Sequence, residues 1–177
     1  MRSILLVKTS SLGDVVHALS LATDVRAVFP DAVIDWVAEE AFQDLPRLCP
    51  EVRNVIPVAL RRWRHALGSG ETWRQARAFR RELRAHRYDV ILDLQEQVKG
   101  ALMARTALGV RHGFSRDCIR EPLATLLDDV HHAVSPAQHF AQRARLLAAQ
   151  ALGYALDTPP RWSWRRPARD AALPDAP

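Results

Sequence analysis

The sequence predicts an α/β fold, a Rossmann-like parallel sheet with helices on both faces. Three observations predict it. Short apolar runs fit for buried strands alternate with longer stretches whose apolar residues recur every three or four positions. Gly, Pro and small polar residues fall at the junctions. The alternation then persists over residues 1–155, with no internal repeat beyond it.

Residues 3–8 are a compact apolar run ending in Lys8, the first strand. Thr9-Ser10-Ser11-Leu12-Gly13-Asp14 follows as a loop, and a helix begins beyond it. There Val15, Ala18, Ala22, Val25 and Phe29 make one apolar stripe, leaving His17, Ser20 and Asp24 for the opposite face. Pro30 closes that unit. Residues 32–37 read as a second strand and 39–48 as a short helix interrupted by Pro46. Residues 54–58 are the third strand candidate, which Pro57 confines to an edge or to its own end.

Gly68-Ser69-Gly70 breaks the chain before an arginine-rich helix. Thr72 and Gln75 fit a capping box there, and Trp73, Ala76, Phe79 and Leu83 a buried stripe. Residues 89–94 are the clearest strand in the chain; a helix over 97–107 and a strand over 110–114 continue the pattern. Ser135-Pro136-Ala137-Gln138 has the chemistry of a helix start, and that helix is expected to run to Gly153. Five of the eleven prolines then lie within residues 159–177, around Trp162 and Trp164. Residues 156–177 therefore read as a proline-rich linker following a domain of residues 1–155.

At 177 residues, 48% hydrophobic and 25% charged, the chain has the balance of a protein with a core. No apolar run approaches the roughly 18 residues of a membrane span. The apolar stretch after Arg2 breaks too soon for a signal peptide. Cys49 and Cys118 lack metal-ligand spacing and are too few for a disulfide framework, so a cytoplasmic location is expected.

The net charge of +5 is unevenly spread. Between Arg61 and Arg87 there are nine arginines against two acids, Glu71 and Glu82. Such a block suits an acidic partner, or is simply a solvated helix face. Arginine outnumbers lysine 23 to 2, and both lysines, Lys8 and Lys99, follow closely on strand candidates.

Ligands of open parallel sheets bind beyond the carboxyl ends of the strands. Thr9, Ser10, Ser11, Gly13 and Asp14 occupy such an end, at a helix N-terminus. Neither a dinucleotide fingerprint nor a P-loop is present there. The loop offers hydroxyls, backbone N–H groups and one carboxylate. Asp14 has two open roles, a catalytic carboxylate or a helix-start residue complementing the dipole. Arg61, Arg62 and Arg64 follow the third strand, where guanidiniums can grip carboxylates or phosphates bidentately. Arg74, Arg77, Arg81 and Arg84 keep helical spacing away from the apolar stripe and read as a solvated face. Arg120 precedes another helix start at Pro122. His131, His132 and His139 do not compose a metal shell, and no Ser-His-Asp order is readable.

Four stretches together resemble glycosyltransferase family 9, the lipopolysaccharide heptosyltransferases. They are Val7-Lys8-Thr9-Ser10-Ser11-Leu12-Gly13-Asp14-Val15, Asp35-Trp36-Val37-Ala38-Glu39-Glu40, Val55-Ile56-Pro57-Val58 with Arg61-Arg62-Trp63-Arg64, and Arg120-Glu121-Pro122-Leu123-Ala124. The resemblance covers about residues 1–155. It implies one half of a GT-B architecture, two Rossmann-like domains with the active site between them. The N-terminal half would bind the acceptor, Kdo-lipid A. The other half would bind ADP-heptose, transfer would invert the anomeric centre, and no metal or cofactor would be needed.

In that family pattern Asp14 matches the general base. Arg61, Arg62, Arg64 and Arg120 match the arginines that hold the acceptor's anionic groups. Thr9, Ser10, Ser11 and Gly13 match the loop facing donor and acceptor. The resemblance further implies a cytoplasmic enzyme at the inner face of the inner membrane. A donor domain is missing from these residues, so the isolated chain is expected to be inactive. Leu94-Gln95-Glu96-Gln97 departs from the small-residue pattern expected there, which leaves contacts at Lys99 open. The competing class is a non-catalytic domain binding nucleic acid or an acidic glycolipid. The basic stretch carries no recognised nucleic-acid motif, so no nucleic-acid partner is expected.

Overall fold

The structure is a computed structural model that describes residues 2–165. Residues 166–177 of the predicted tail lie outside the described residues. Six strands form one all-parallel sheet: β1 (Ser3–Val7), β2 (Val33–Glu39), β3 (Val52–Val58), β4 (Arg87–Asp93), β5 (Leu108–Phe114) and β6 (Val130–His132). Their order is β3-β2-β1-β4-β5-β6. Six helices connect or follow them: α1 (Leu12–Val28), α2 (Asp44–Arg47), α3 (Leu60–Trp63), α4 (Gly70–Leu83), α5 (Val98–Thr106) and α6 (Phe140–Leu152).

Alternate strand residues serve opposite faces, as the pleat requires. Ile4, Leu6, Ile34, Trp36 and Leu92 pack with α1 and α6 on one face. Leu5, Val7, Val37, Ile56 and Ile91 pack with Leu83 of α4 and Met103 and Ala104 of α5 on the other. The central strands are therefore buried on both sides. That is why β1 and β4 read in sequence as continuous apolar runs. Pro57 lies in β3, an edge strand, where its missing N–H interrupts no ladder.

Several expectations need correction. Ser20 and Asp24 are buried rather than exposed, because α6 lies along the flank of α1 that the pattern assigned to solvent. Arg145 of α6 is fully buried and grips both oxygens of Asp24, at 2.6 and 3.2 Å. In α4, Ser69 is the N-cap and Thr72 lies inside the helix, buried. Trp73 is 52% exposed, its indole N–H donating to Leu67 O. The buried line of that helix is Thr72 and Leu83, with Phe79 half-buried.

Ser135 to Gln138 is a turn, and α6 begins only at Phe140. His139 caps it, Nδ1 accepting from Ala141 N. Its other end is as expected, with Gly153 in the left-handed region (φ 74°). The helix start expected at Pro122 is a 3-10 segment, Pro122–Leu127, whereas β6 had no clear sequence signal. Residues 155–165 contain neither helix nor strand. They cross α1 and α2 through Trp162 Nε1 to Val16 O (2.8 Å) and Arg165 N to Leu48 O (2.7 Å).

Candidate functional site

The strand order locates the site. β1 continues toward β2 and β3 on one side and toward β4, β5 and β6 on the other, so the direction of winding reverses between β1 and β4. At such a reversal the loops leaving adjacent strands part, and a crevice opens between them. Here those loops are residues 8–11 and 94–97. They lead into α1 and α5, whose N-termini lie at the same end of the sheet.

One side chain ties the loops together. Gln95 is buried, and its Oε1 accepts from Thr9 N (2.9 Å), Thr9 Oγ1 (3.0 Å) and Ser10 N (3.3 Å). Its Nε2 donates to Ser10 O at 3.3 Å and Gln97 Oε1 at 3.2 Å. Gly100 of α5 lets the helix pass close beneath; a Cβ there would overlap Gln95 Cβ. The Thr9–Ser10 backbone is therefore set by a residue 85 positions away.

A cleft of about 410 Å³ lies over this brace, and Asp14 is in its wall. Ser11 is the N-cap of α1 and Asp14 its third residue, and the two form a capping box in which Ser11 N donates to Asp14 Oδ2 at 3.3 Å. Lys8 Nζ approaches the same oxygen at 3.2 Å. Oδ1 accepts no hydrogen bond among the described residues. The Asp14 side chain is 40% exposed and that of Lys8 only 4%. Burial pushes the Lys8 ammonium down from its ordinary range, and the adjacent Asp14 carboxylate opposes that shift. Lys8 Nζ also sits 4.2 Å above the Phe140 ring.

Buried acids lie below. Asp93, the last residue of β4, is pushed up to about 8 by burial and by Asp128. Asp128 is itself raised to about 6, chiefly by burial. Asp93 Oδ1 accepts from Gln95 N at 2.9 Å, whereas Oδ2 has no partner among the described residues. A neutral Asp93 avoids a second buried carboxylate charge beside Asp128.

Arg120 is exposed, but its loop is fixed. Glu96 adopts φ 59°, the one positive φ at a non-glycine position among the described residues. Its carbonyl accepts from Glu121 N at 3.1 Å, and its carboxylate pairs with Arg143 at 2.7 Å. Arg143 in turn donates to Cys118 O. Glu121 accepts from Val98 N (2.8 Å), capping α5. The loop bearing Arg120 is thus held on both sides of that residue.

A neighbouring cleft of about 590 Å³ is lined by Arg61 and Arg64 with Thr9, Glu39 and Leu60, and it shares Ser10 and Lys99 with the first. Glu39 positions it by accepting from Arg61 N at 3.1 Å. Asp14, Ser10, Ser11, Arg120, Arg61 and Arg64 therefore surround two adjoining clefts, with Lys99 between them. Arg62 is not among them. It pairs with Glu40 (3.0 and 2.8 Å) and Gln75 (2.8 Å), beside a separate cleft between α4 and β3. Gly13 lines neither cleft. Thr9 is buried, its hydroxyl bound to Gln95. Sequence reasoning missed Gln95, Glu96, Phe140 and Arg143; the departure at residues 94–97 was the one signal pointing to the first two.

A carboxylate with one free oxygen, beside a buried lysine and in clefts walled by exposed arginines, is suited to removing a proton from a ligand held by its anionic groups. Comparison with known proteins identifies the family. The pattern of glycosyltransferase family 9 (heptosyltransferase) matches residues 76–177. The chain belongs to glycosyltransferase family 9.

Within the family, it is similar to lipopolysaccharide heptosyltransferase 1 of Escherichia coli strain K12, 45% identical over 152 residues. That alignment covers 85% of this chain and 48% of the relative. The protein of the same name from Pseudomonas aeruginosa is 43% identical over 158 residues, covering 86% and 43%. A solved structure, E. coli heptosyltransferase WaaC with ADP-2-deoxy-2-fluoro heptose, superposes with a TM-score of 0.86 at 42% identity. It is matched over 90% of this chain and 51% of that one. The chain spans about half the length of the curated relatives it matches.

Proposed function

We propose that this chain is the acceptor-binding half of a lipopolysaccharide heptosyltransferase, which transfers L-glycero-D-manno-heptose from ADP-heptose to Kdo-lipid A. The observation that carries this reading is Asp14, with Oδ1 free, in a cleft beside Arg120 that adjoins the Arg61/Arg64 cleft. Identity of 45% to an enzyme named for this activity supports it. Residues 1–155 would form the acceptor domain, and residues 156–177 would lead toward the donor-binding part.

In this reading Arg61, Arg64 and Arg120 hold the carboxylate and phosphate groups of the acceptor through charge-assisted hydrogen bonds. Arg62, already paired with Glu40, contributes at the periphery. The acceptor hydroxyl lies against Asp14 Oδ1, which takes its proton. The oxygen attacks the anomeric carbon from the face opposite ADP, the bond to the diphosphate breaks, and the configuration inverts. Lys8 and Ser11 N hold Oδ2 so that Oδ1 keeps its aim. Neither a metal nor a cofactor enters this scheme. The enzyme would work in the cytoplasm at the inner face of the inner membrane, where a lipid-borne acceptor is accessible.

The test is binding of a water-soluble Kdo-bearing acceptor by calorimetry, with single-stranded RNA as the rival ligand at two salt concentrations. Acceptor binding that Arg61→Ala weakens supports the reading. Salt-sensitive RNA binding without acceptor binding contradicts it.

A further inference from the structure

We propose that the exposed arginine face of α4 docks the protein on an anionic membrane surface. This names the surface behind the membrane contact proposed above, and it rests on that reading. At about 100° per residue, Arg74, Arg77, Arg80, Arg81 and Arg84 fall within an arc of about 120°. Trp73 lies inside the same arc. The acids of the helix, Glu71 and Glu82, lie on the other flank, and Thr72 and Leu83 face the core. All five arginines are exposed. Arg74 pairs with Glu71 and Arg84 donates to Thr106 O, but Arg77, Arg80 and Arg81 make no ion pair among the described residues. A face that is merely solvated has no reason to segregate its charges this way; i,i+4 pairs of opposite sign would stabilise it better.

The apolar part of the face lies at one end. Trp73 is 52% and Leu67 61% exposed. The indole N–H is bound to Leu67 O at 2.8 Å, so the outer surface of this pair is hydrocarbon and aromatic ring. Arginines at headgroup level beside a Trp and a Leu are what an anionic interface accepts. Sequence-independent RNA binding instead uses a basic groove with successive stacking aromatics. This face is a helix surface with a single aromatic at its end.

The face is also joined to the clefts. Gln75 of α4 accepts from Arg62 Nη1 (2.8 Å) and Trp63 Nε1 (3.0 Å) of α3, which fixes the turn bearing Arg61 and Arg64. Docking through α4 would therefore hold the Arg61/Arg64 cleft at a set height beside the lipid surface.

The experiment is co-sedimentation of the full chain with vesicles in which about a third of the lipid is phosphatidylglycerol. Zwitterionic vesicles and polyuridine serve as comparison ligands. Each exposed cation near such a surface adds to binding, so R77E/R81E is expected to lower partitioning at least about ten-fold. R105E/R116E, the same charge change on other exposed arginines, is expected to bind like the unaltered chain. Thermal unfolding followed by circular dichroism checks that each variant is folded, and R77Q/R80Q/R81Q serves if the reversal is not. Loss confined to the α4 variants supports the proposal. Equal vesicle binding by all variants overturns the choice of α4 while leaving membrane contact intact. No vesicle binding by the unaltered chain overturns both, and polyuridine binding in its place assigns the face to nucleic acid. Binding of the water-soluble acceptor is measured separately, so failure here is distinguishable from failure of the transferase reading.

Discussion

The cleft between β1 and β4 and the exposed face of α4 are both rich in charge, and they are built on opposite principles. In the cleft, Lys8 and Glu96 are buried and paired, with Asp14 and Arg143, while buried Asp93 is held largely neutral by its surroundings. On α4 the arginines are in water, and four of the five, Arg77, Arg80, Arg81 and Arg84, have no ion-pair partner among the described residues. Charge alone would have pointed to α4, which carries more of it. What marks the cleft is desolvation together with fixed geometry, the two conditions under which a charge acts strongly on a neighbour. An exposed arginine stripe instead acts collectively and is weakened by salt.

The contrast between buried and exposed charge can be pressed hardest between α1 and α6. Arg145→Ala strands Asp24 with its carboxylate buried, and should cost about 3–5 kcal/mol of folding stability. Arg77→Ala, an exposed counterpart, should change stability by less than about 0.5 kcal/mol. Urea denaturation of the two variants measures both, and equal losses would dissolve the distinction.

The next effect is on binding. Arg61→Ala or Arg64→Ala should weaken a water-soluble Kdo-bearing acceptor by about 1.5–3 kcal/mol each, the range for a charge-assisted contact. Arg77→Ala and Arg81→Ala should leave that affinity unchanged. Calorimetry on the four variants decides it; equal losses would mean that diffuse positive charge, and not a cleft, holds the acceptor.

A further effect is on pH dependence. Asp93 is raised to about 8 in the folded protein from 3.8, so the folded state keeps a proton that the unfolded chain releases. Its contribution to stability is complete below about pH 4 and declines as pH rises toward 8. Asp128, raised to about 6, acts in the same direction over the lower part of that range. Asp93→Asn should therefore flatten the fall in urea midpoint between pH 5 and 8. An unchanged slope would show that Asp93 is ionised in the folded state.

Much of this was legible in sequence. β1, β4 and the Thr9–Asp14 loop follow from apolar runs and turn residues, which are local signals. Arg61 and Arg64 were singled out because they follow a strand, and Arg120 because it precedes a helix start; the structure places all three in the walls of two adjoining clefts. Arg62 was read with them, but Glu40 and Gln75 hold it elsewhere; adjacency in sequence does not decide the direction of a side chain on the short helix α3. Ser20 and Asp24 were misplaced because their partner helix lies some 120 residues away, and a helical pattern shows only that a face exists, not that another helix covers it. The role of Gln95 was hidden for the same reason, although the departure at residues 94–97 marked its position: a buried glutamine is recognisable only through the backbone groups it satisfies, and those belong to Thr9 and Ser10. The start of α6 was placed early because Ser135-Pro136 suits a turn as well as a cap, and His139 supplies the cap.

The central claim is that Asp14 is the proton acceptor of a transfer reaction and not only a residue that starts α1. The direct measurement is the turnover of Asp14→Asn in a chimera in which residues 1–155 replace the matching half of the E. coli relative, with ADP-heptose and a Kdo-bearing acceptor. The account predicts an active parent chimera, a fall in kcat of about 10²–10⁴-fold in the variant, and an acceptor KM within about three-fold of the parent. Turnover close to that of the parent would contradict it and reduce Asp14 to a helix cap.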